Sequence, residues 1–199
     1  TATTTSTTTI TLTWTHGNNA PSTHIQRTTS HYPTDPTNGT TVYNGTANTY
    51  PDTSLTPGTT YYYRAWSYNT TSNLYSTNNA STHNTTWTIP VTPTSLKANT
   101  TGTTSIMLSW IIGTNTTSTR IQRTTGTYPT NISNGTNIYN NTTTTTTDTH
   151  LTPGTTYFYR AWGYNTTSHL WTTDNNSAYN TTWTIPQAPI NFIAMTLNT

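Results

Sequence analysis

The chain has 199 residues, of which 5% are charged and 29% hydrophobic, and it carries a net charge of +2 at neutral pH. So small a charge, spread over isolated Arg and a single Lys, excludes a nucleic-acid footprint, and the absence of cysteine excludes disulfides, thiol catalysis and thiolate metal sites. Seven Trp and 14 Tyr argue against a disordered linker, and abundant β-branched Thr in a chain without Glu favours strands over helices. An all-β fold is therefore expected. No apolar run approaches the roughly 20 residues a membrane helix needs. Nothing at Thr1 reads as a signal peptide, so a soluble chain with its leader removed is expected.

In chain order, Ile10, Leu12 and Trp14 alternate onto one face of a strand, ITLTW. HIQRTT, from His24, follows as a second strand, and Pro33, Pro36 and Asn38-Gly39 then supply turns. A long strand runs through TTYYYRAWSYN, in which Tyr61, Tyr63, Ala65, Ser67 and Asn69 alternate with the residues between them. NTTWTIP is the last strand, closed by Pro90, and Pro93 begins a short link. The whole series then repeats without a gap. Trp14, Arg27, Tyr43, Leu55, Trp66, Trp87 and Pro90 recur 96 residues later as Trp110, Arg123, Tyr139, Leu151, Trp162, Trp183 and Pro186. The reading is two modules, 1–90 and 91–186. The tail, 187–199, is a linker or the first strand of a following module or neighbouring subunit. About seven short strands per module is the pattern of a β-sandwich.

Leu55 to Tyr61 reads LTPGTTY, and Leu151 to Tyr157 repeats it. Pro fixes φ, Gly allows a tight bend, and the Tyr ring can be buried while its hydroxyl bonds back to the corner. With Trp14 and Trp110 and the alternating Tyr61-Tyr63-Ala65 series, the sequence resembles tandem fibronectin type III domains, in particular those of prokaryotic and specifically archaeal surface or filament proteins. The resemblance covers both modules nearly end to end. It implies a seven-stranded immunoglobulin-like sandwich, LTPGTTY as its tyrosine corner, and Trp14 and Trp110 as its second-strand tryptophans. Animal members carry many charges, this chain almost none, and it has no Arg-Gly-Asp triplet.

Candidate chemistry is sparse. The six histidines, His16, His24, His31, His83, His150 and His169, face Ile112, Arg120, Thr127, Tyr179, Ser54 and Asn73 at the repeat offset, which reads as incidental surface placement. No metal, cofactor or catalytic residue is expected, since Glu is absent and the Asp residues are isolated. Asp52 and Asp148 do recur, and a turn or strand-end hydrogen bond is the expected role. Tyr62, Arg64, Trp66 and Tyr68, and likewise Phe158, Arg160, Trp162 and Tyr164, alternate onto the face opposite the core. That ladder either stabilises its own sheet or offers a sugar-binding or subunit contact.

Glycan acceptors of the form Asn-x-Ser/Thr stand at Asn38, Asn44, Asn69, Asn79, Asn84, Asn99, Asn115, Asn131, Asn134, Asn140, Asn141, Asn165, Asn175 and Asn180. A chain this rich in Asn and Thr generates many by chance, but five of them recur in register, and Gly or turn neighbours place most on loops. Attached sugars would replace charge as the solubilising layer. At the ends, Thr1 to Thr7 aligns with Lys97 to Thr103 and Ile193 to Thr199, so the cut falls inside a first strand. Two alternatives follow: a longer repeat array, or donation of 187–199 to a neighbouring subunit, burying Ile190, Phe192, Ile193, Met195 or Leu197 there.

The functional expectation is an extracellular, glycosylated structural module of a cell-surface filament, sheath, surface layer or adhesin stalk, self-associating head to tail. It is not an enzyme, and it carries no membrane span and binds no nucleic acid. The alternative is a carbohydrate- or surface-binding module appended to a secreted protein.

Overall fold

The computed structural model describes residues 1–77, 83–173, 178–188 and 190. Among these the chain forms sixteen strands and no helix, and it divides into two compact units. The first copy contains β1 (Ala2–Thr4), β2 (Ile10–Thr13), β3 (Ser22–Thr28), β4 (Thr40–Gly45), β5 (Thr49–Asp52), β6 (Thr60–Asn69), β7 (Leu74–Tyr75) and β8 (His83–Trp87). The second contains β9 (Thr94–Thr100), β10 (Ile106–Ile111), β11 (Ser118–Thr124), β12 (Thr136–Asn141), β13 (Thr145–Asp148), β14 (Thr156–Asn165), β15 (Leu170–Trp171) and β16 (Tyr179–Trp183).

Each copy is a sandwich of two antiparallel sheets. In the first, the orders are β1-β2-β5 and β4-β3-β6-β7, with β8 also on β6. In the second they are β13-β10-β9 and β12-β11-β14-β15, with β16 on β14. Alternation explains the core. Ile10 and Leu12 of β2 meet Ile25 of β3 and Tyr61 and Tyr63 of β6. Ile106, Leu108 and Trp110 meet Ile121, Tyr157 and Tyr159 in the second copy. Burying each such side chain contributes about 1.5–3 kcal/mol. A bulge between Ile25 and Gln26, repeated between Ile121 and Gln122, shifts the register of β4 and β12 and seats both Val42 and Tyr43 against the core.

The corner forms as the sequence predicts. The Thr56 N–H donates to the Tyr61 hydroxyl at 2.9 Å, and Thr152 N–H to Tyr157 at 2.9 Å. Gly58 and Gly154 hold φ of 61° and 66°, a region that only glycine occupies readily.

The face opposite the core is not left open. The connection between β3 and β4 folds back over it, so that Arg64 Nη1 donates to Pro33 O at 3.0 Å and Gln26 Nε2 to Pro36 O at 2.5 Å. Tyr32 meets the Tyr62 ring edge-on at 5.3 Å. Pro129, Ile132 and Tyr128 repeat these contacts to Arg160, Gln122 and Phe158. Period-two reasoning assigns a face but cannot see a loop covering it.

Candidate functional site

Each sandwich holds an ion pair between its two sheets. Arg27 Nη1 donates to both oxygens of Asp52 at 2.7 Å, and the Tyr63 hydroxyl donates to Asp52 Oδ2 at 2.8 Å. The Arg27 guanidinium also lies over the Tyr61 ring, 5.2 Å from its centroid. Arg123, Asp148, Tyr159 and Tyr157 repeat the arrangement, with the tyrosine bond again 2.8 Å. Burial, and then the adjoining carboxylate, push the Tyr63 and Tyr159 phenols far above the usual tyrosine range. Asp52 and Asp148 end β5 and β13, and the expected strand-end hydrogen bond is present there, from a tyrosine hydroxyl, as part of a buried ion pair. The signal was present in the sequence, since both members of each pair recur at 96 residues where charge is scarce.

The histidines divide. His24 is 5% exposed, its Nε2 lying 2.9 Å from Pro36 O, and so it is not a surface residue. His16 bridges Thr23 Oγ1 at 3.0 Å and Thr46 O at 2.9 Å. In the second copy Ile112 stands at that position, and the Thr119 hydroxyl instead accepts from Trp110 Nε1 at 3.0 Å. Trp14 Nε1 is buried without a partner. No three of His, Cys, Asp and Glu come together among the described residues.

The aromatic ladder is largely covered. Trp66 and Trp162 are 2% and 3% exposed, with Arg64 and Arg160 over their rings at 5.7 and 5.4 Å. Tyr68 stacks near Tyr75 at 4.8 Å and Tyr164 near Trp171 at 4.6 Å, closing the strand ends. Neither tryptophan presents a ring face to a ligand.

Among the acceptor asparagines, Asn44, Asn84, Asn99, Asn115, Asn131, Asn134, Asn140 and Asn141 are exposed, and Asn38 and Asn69 are half-buried. Asn165 is buried, its Nδ2 donating to Asn115 O at 2.6 Å and its Oδ1 accepting from Thr167 and Ser168. That nitrogen is the atom a sugar would need. Asn79 and Asn175 lie outside the described residues, as do Phe192, Ile193, Met195 and Leu197. Ile190 is 77% exposed.

β9 spans seven residues. Leu96 of β9 is 4% exposed within the core that holds Leu108, Trp110, Tyr159 and Ala161. Its carbonyl accepts from Asn180 Nδ2 at 2.9 Å. The first sandwich has a cavity of about 400 Å³ with a mixed lining that includes Thr1, Leu12, Trp14, Thr23, Tyr63, Arg64 and His83. Asn84, the counterpart of Asn180, also lines it. Trp110 is 5% exposed and Trp14 only half-buried.

No family model matches the sequence, and no curated protein matches it. Among solved structures, a two-domain fibronectin type III segment of chicken tenascin is similar at a TM-score of 0.56 and 14% identity, over 92% of this chain and 96% of that one. An Fn3-like protein from Clostridium thermocellum is 27% identical over 52% of this chain and 98% of that one, at a TM-score of 0.38. The FN1–FN3 domains of chicken CNTN1 are 15% identical over 93% of this chain and 65% of that one, at 0.40. The tenascin segment, with the sheet orders above, gives the fold as two tandem fibronectin type III-like β-sandwiches.

Proposed function

We propose that the chain is an extracellular structural protein, a glycosylated pair of sandwich modules, 1–90 and 91–186, from a prokaryotic surface filament or related array, whose copies join head to tail. The tandem repeat carries this reading: two sandwiches, each with its own core, follow one another at a 96-residue offset, and Pro189 and Phe192 stand 96 residues after Pro93 and Leu96. A first strand supplied by one copy to the next is a heterologous contact, which grows as an open filament and does not close.

The sandwiches act in this reading as stiff spacers. Exposed Thr, Asn and attached sugars keep a surface of very low charge wet. Non-catalytic use agrees with a charge inventory engaged in holding strands together. A carbohydrate-binding role would need open ring faces, and Trp66 and Trp162 supply none.

The test compares the full chain with Phe192→Asp by electron microscopy and sedimentation. The wild type is expected to form filaments or head-to-tail oligomers, and the variant to remain monomeric with unchanged circular dichroism. Filaments of Phe192→Asp indistinguishable from wild type would overturn the proposal.

A further inference from the structure

We infer that the outer edges of β4 and β12 are guarded by N-linked sugars, on Asn44 in the first sandwich and on Asn140 or Asn141 in the second, which keep each edge from pairing with a strand of another copy. The inference rests on the glycosylated part of the proposed function and is independent of how copies join end to end.

An edge strand leaves a row of backbone N–H and C=O groups unpaired, and such a row is a template for any other exposed strand. Each sandwich ends one sheet in this way: among the described residues β4 pairs only with β3, and β12 only with β11. Their sequences, TTVYNG and TNIYNN, are six residues long, rich in β-branched and aromatic types, and free of charge and proline, which is the composition of an association-prone segment. The usual guards of an edge are Lys, Pro or an inward charge. Other edges here have them, Pro51 on β5 and Lys97 on β9. These two do not.

The acceptor asparagines follow the sheet order. Within the described strands, Asn44, Asn84, Asn99, Asn140, Asn141 and Asn180 all fall on edge strands, β4, β8, β9, β12 and β16. The inner strands β2, β3, β10 and β11 carry none, and β6 and β14 carry one only at the last residue, Asn69 and Asn165. Chance placement in a Thr-rich chain has no reason to respect sheet position. On β4 and β12 the acceptors stand in the same register, Asn44 opposite His24 and Asn140 opposite Arg120, and both are exposed. Asn165 and Asn180, by contrast, commit their Nδ2 atoms to Asn115 O and Leu96 O. An added strand would have to lie about 4.8 Å from β4 or β12, inside the space that a bulky sugar on that strand sweeps.

The experiment uses the full chain from its native source. Peptide mass spectrometry is expected to find sugar on Asn44 and on Asn140 or Asn141. Two routes then remove it: glycosidase treatment, which leaves the sequence untouched, and the variant Asn44→Gln with Asn140→Gln and Asn141→Gln. Both are expected to bring loss of dispersed protein in sedimentation, with the amides of β4 and β12 gaining protection from hydrogen exchange. Head-to-tail joining leaves exchange in those strands unchanged, so the two contacts are told apart. Asn44→Lys with Asn140→Lys and Asn141→Gln also removes the sugars but puts a charge on each edge, and this protein is expected to stay dispersed. Bare asparagines at all three positions would overturn the inference, and bare peptides at every acceptor would take the glycosylated reading with it. If sugars are present and the Gln variant and the treated chain stay as dispersed as native protein, the guard fails and the glycan coat stands.

Discussion

Arg27 and Asp52 form an ion pair between the two sheets of the first sandwich, with Nη1 2.7 Å from the carboxylate and the Asp side chain 8% exposed. Arg123 and Asp148 duplicate it at 2.7 Å, with the Asp side chain 4% exposed. Removing one partner strands the other charge away from water, and such losses cost about 3–5 kcal/mol. Asp52→Ala is accordingly expected to lower the stability of the first sandwich by about 3 kcal/mol in urea denaturation. Asp35→Ala, on an exposed turn, should leave the midpoint nearly unchanged.

High pH should unfold the protein through Tyr63 and Tyr159. Their phenols titrate well above the unfolded value of 10.0 because burial and the Asp partner disfavour the phenolate. The folded state then holds its protons while the unfolded chain releases them. Stability from these groups is full below pH 10 and falls above it, by about 1.4 kcal/mol per pH unit for each tyrosine. Tyr63→Phe with Tyr159→Phe should flatten that slope; an equally steep loss in the double variant would reject the assignment.

Tyr61→Phe and Tyr157→Phe leave the Thr56 and Thr152 N–H groups without the hydroxyls that receive them. Each is expected to cost about 1–2 kcal/mol with the sheets intact. Thermal denaturation and circular dichroism check both halves of that expectation.

Trp66→Ala and Trp162→Ala are expected to destabilise by about 3–5 kcal/mol, as for truncation of any large buried aromatic. Glycan-array binding by the wild-type chain is expected to be absent. Binding lost selectively in folded Trp variants would restore the ring faces as a ligand site.

Treatment of native material with a glycosidase should lower its mass. A mass unchanged by treatment, with acceptor peptides found bare by mass spectrometry, removes the glycan coat from the account.

Much of the fold was legible because it rests on local rules. Alternation in Ile10-Leu12 and Tyr61-Tyr63, the Pro-Gly corner and the 96-residue offset each name a side chain's place without tertiary knowledge. What escaped the sequence depends on contacts between distant segments. The Arg27–Asp52 pair joins positions 25 residues apart, and the cover over Trp66 comes from a loop whose own sequence reads only as turns. Trp14 illustrates a finer limit. It matches Trp110 in type and register, yet His16 in place of Ile112 engages the Thr23 hydroxyl and Trp14 Nε1 stays unpaired.

The most direct measurement places a photo-reactive phenylalanine analogue at position 192 of the full chain and maps its cross-links by peptide mass spectrometry. The account predicts a bond between two different molecules, from position 192 of one to the Leu12–Trp14 or Tyr63–Ala65 wall of the other. Cross-links confined within one molecule, or between molecules but away from that wall, would contradict it.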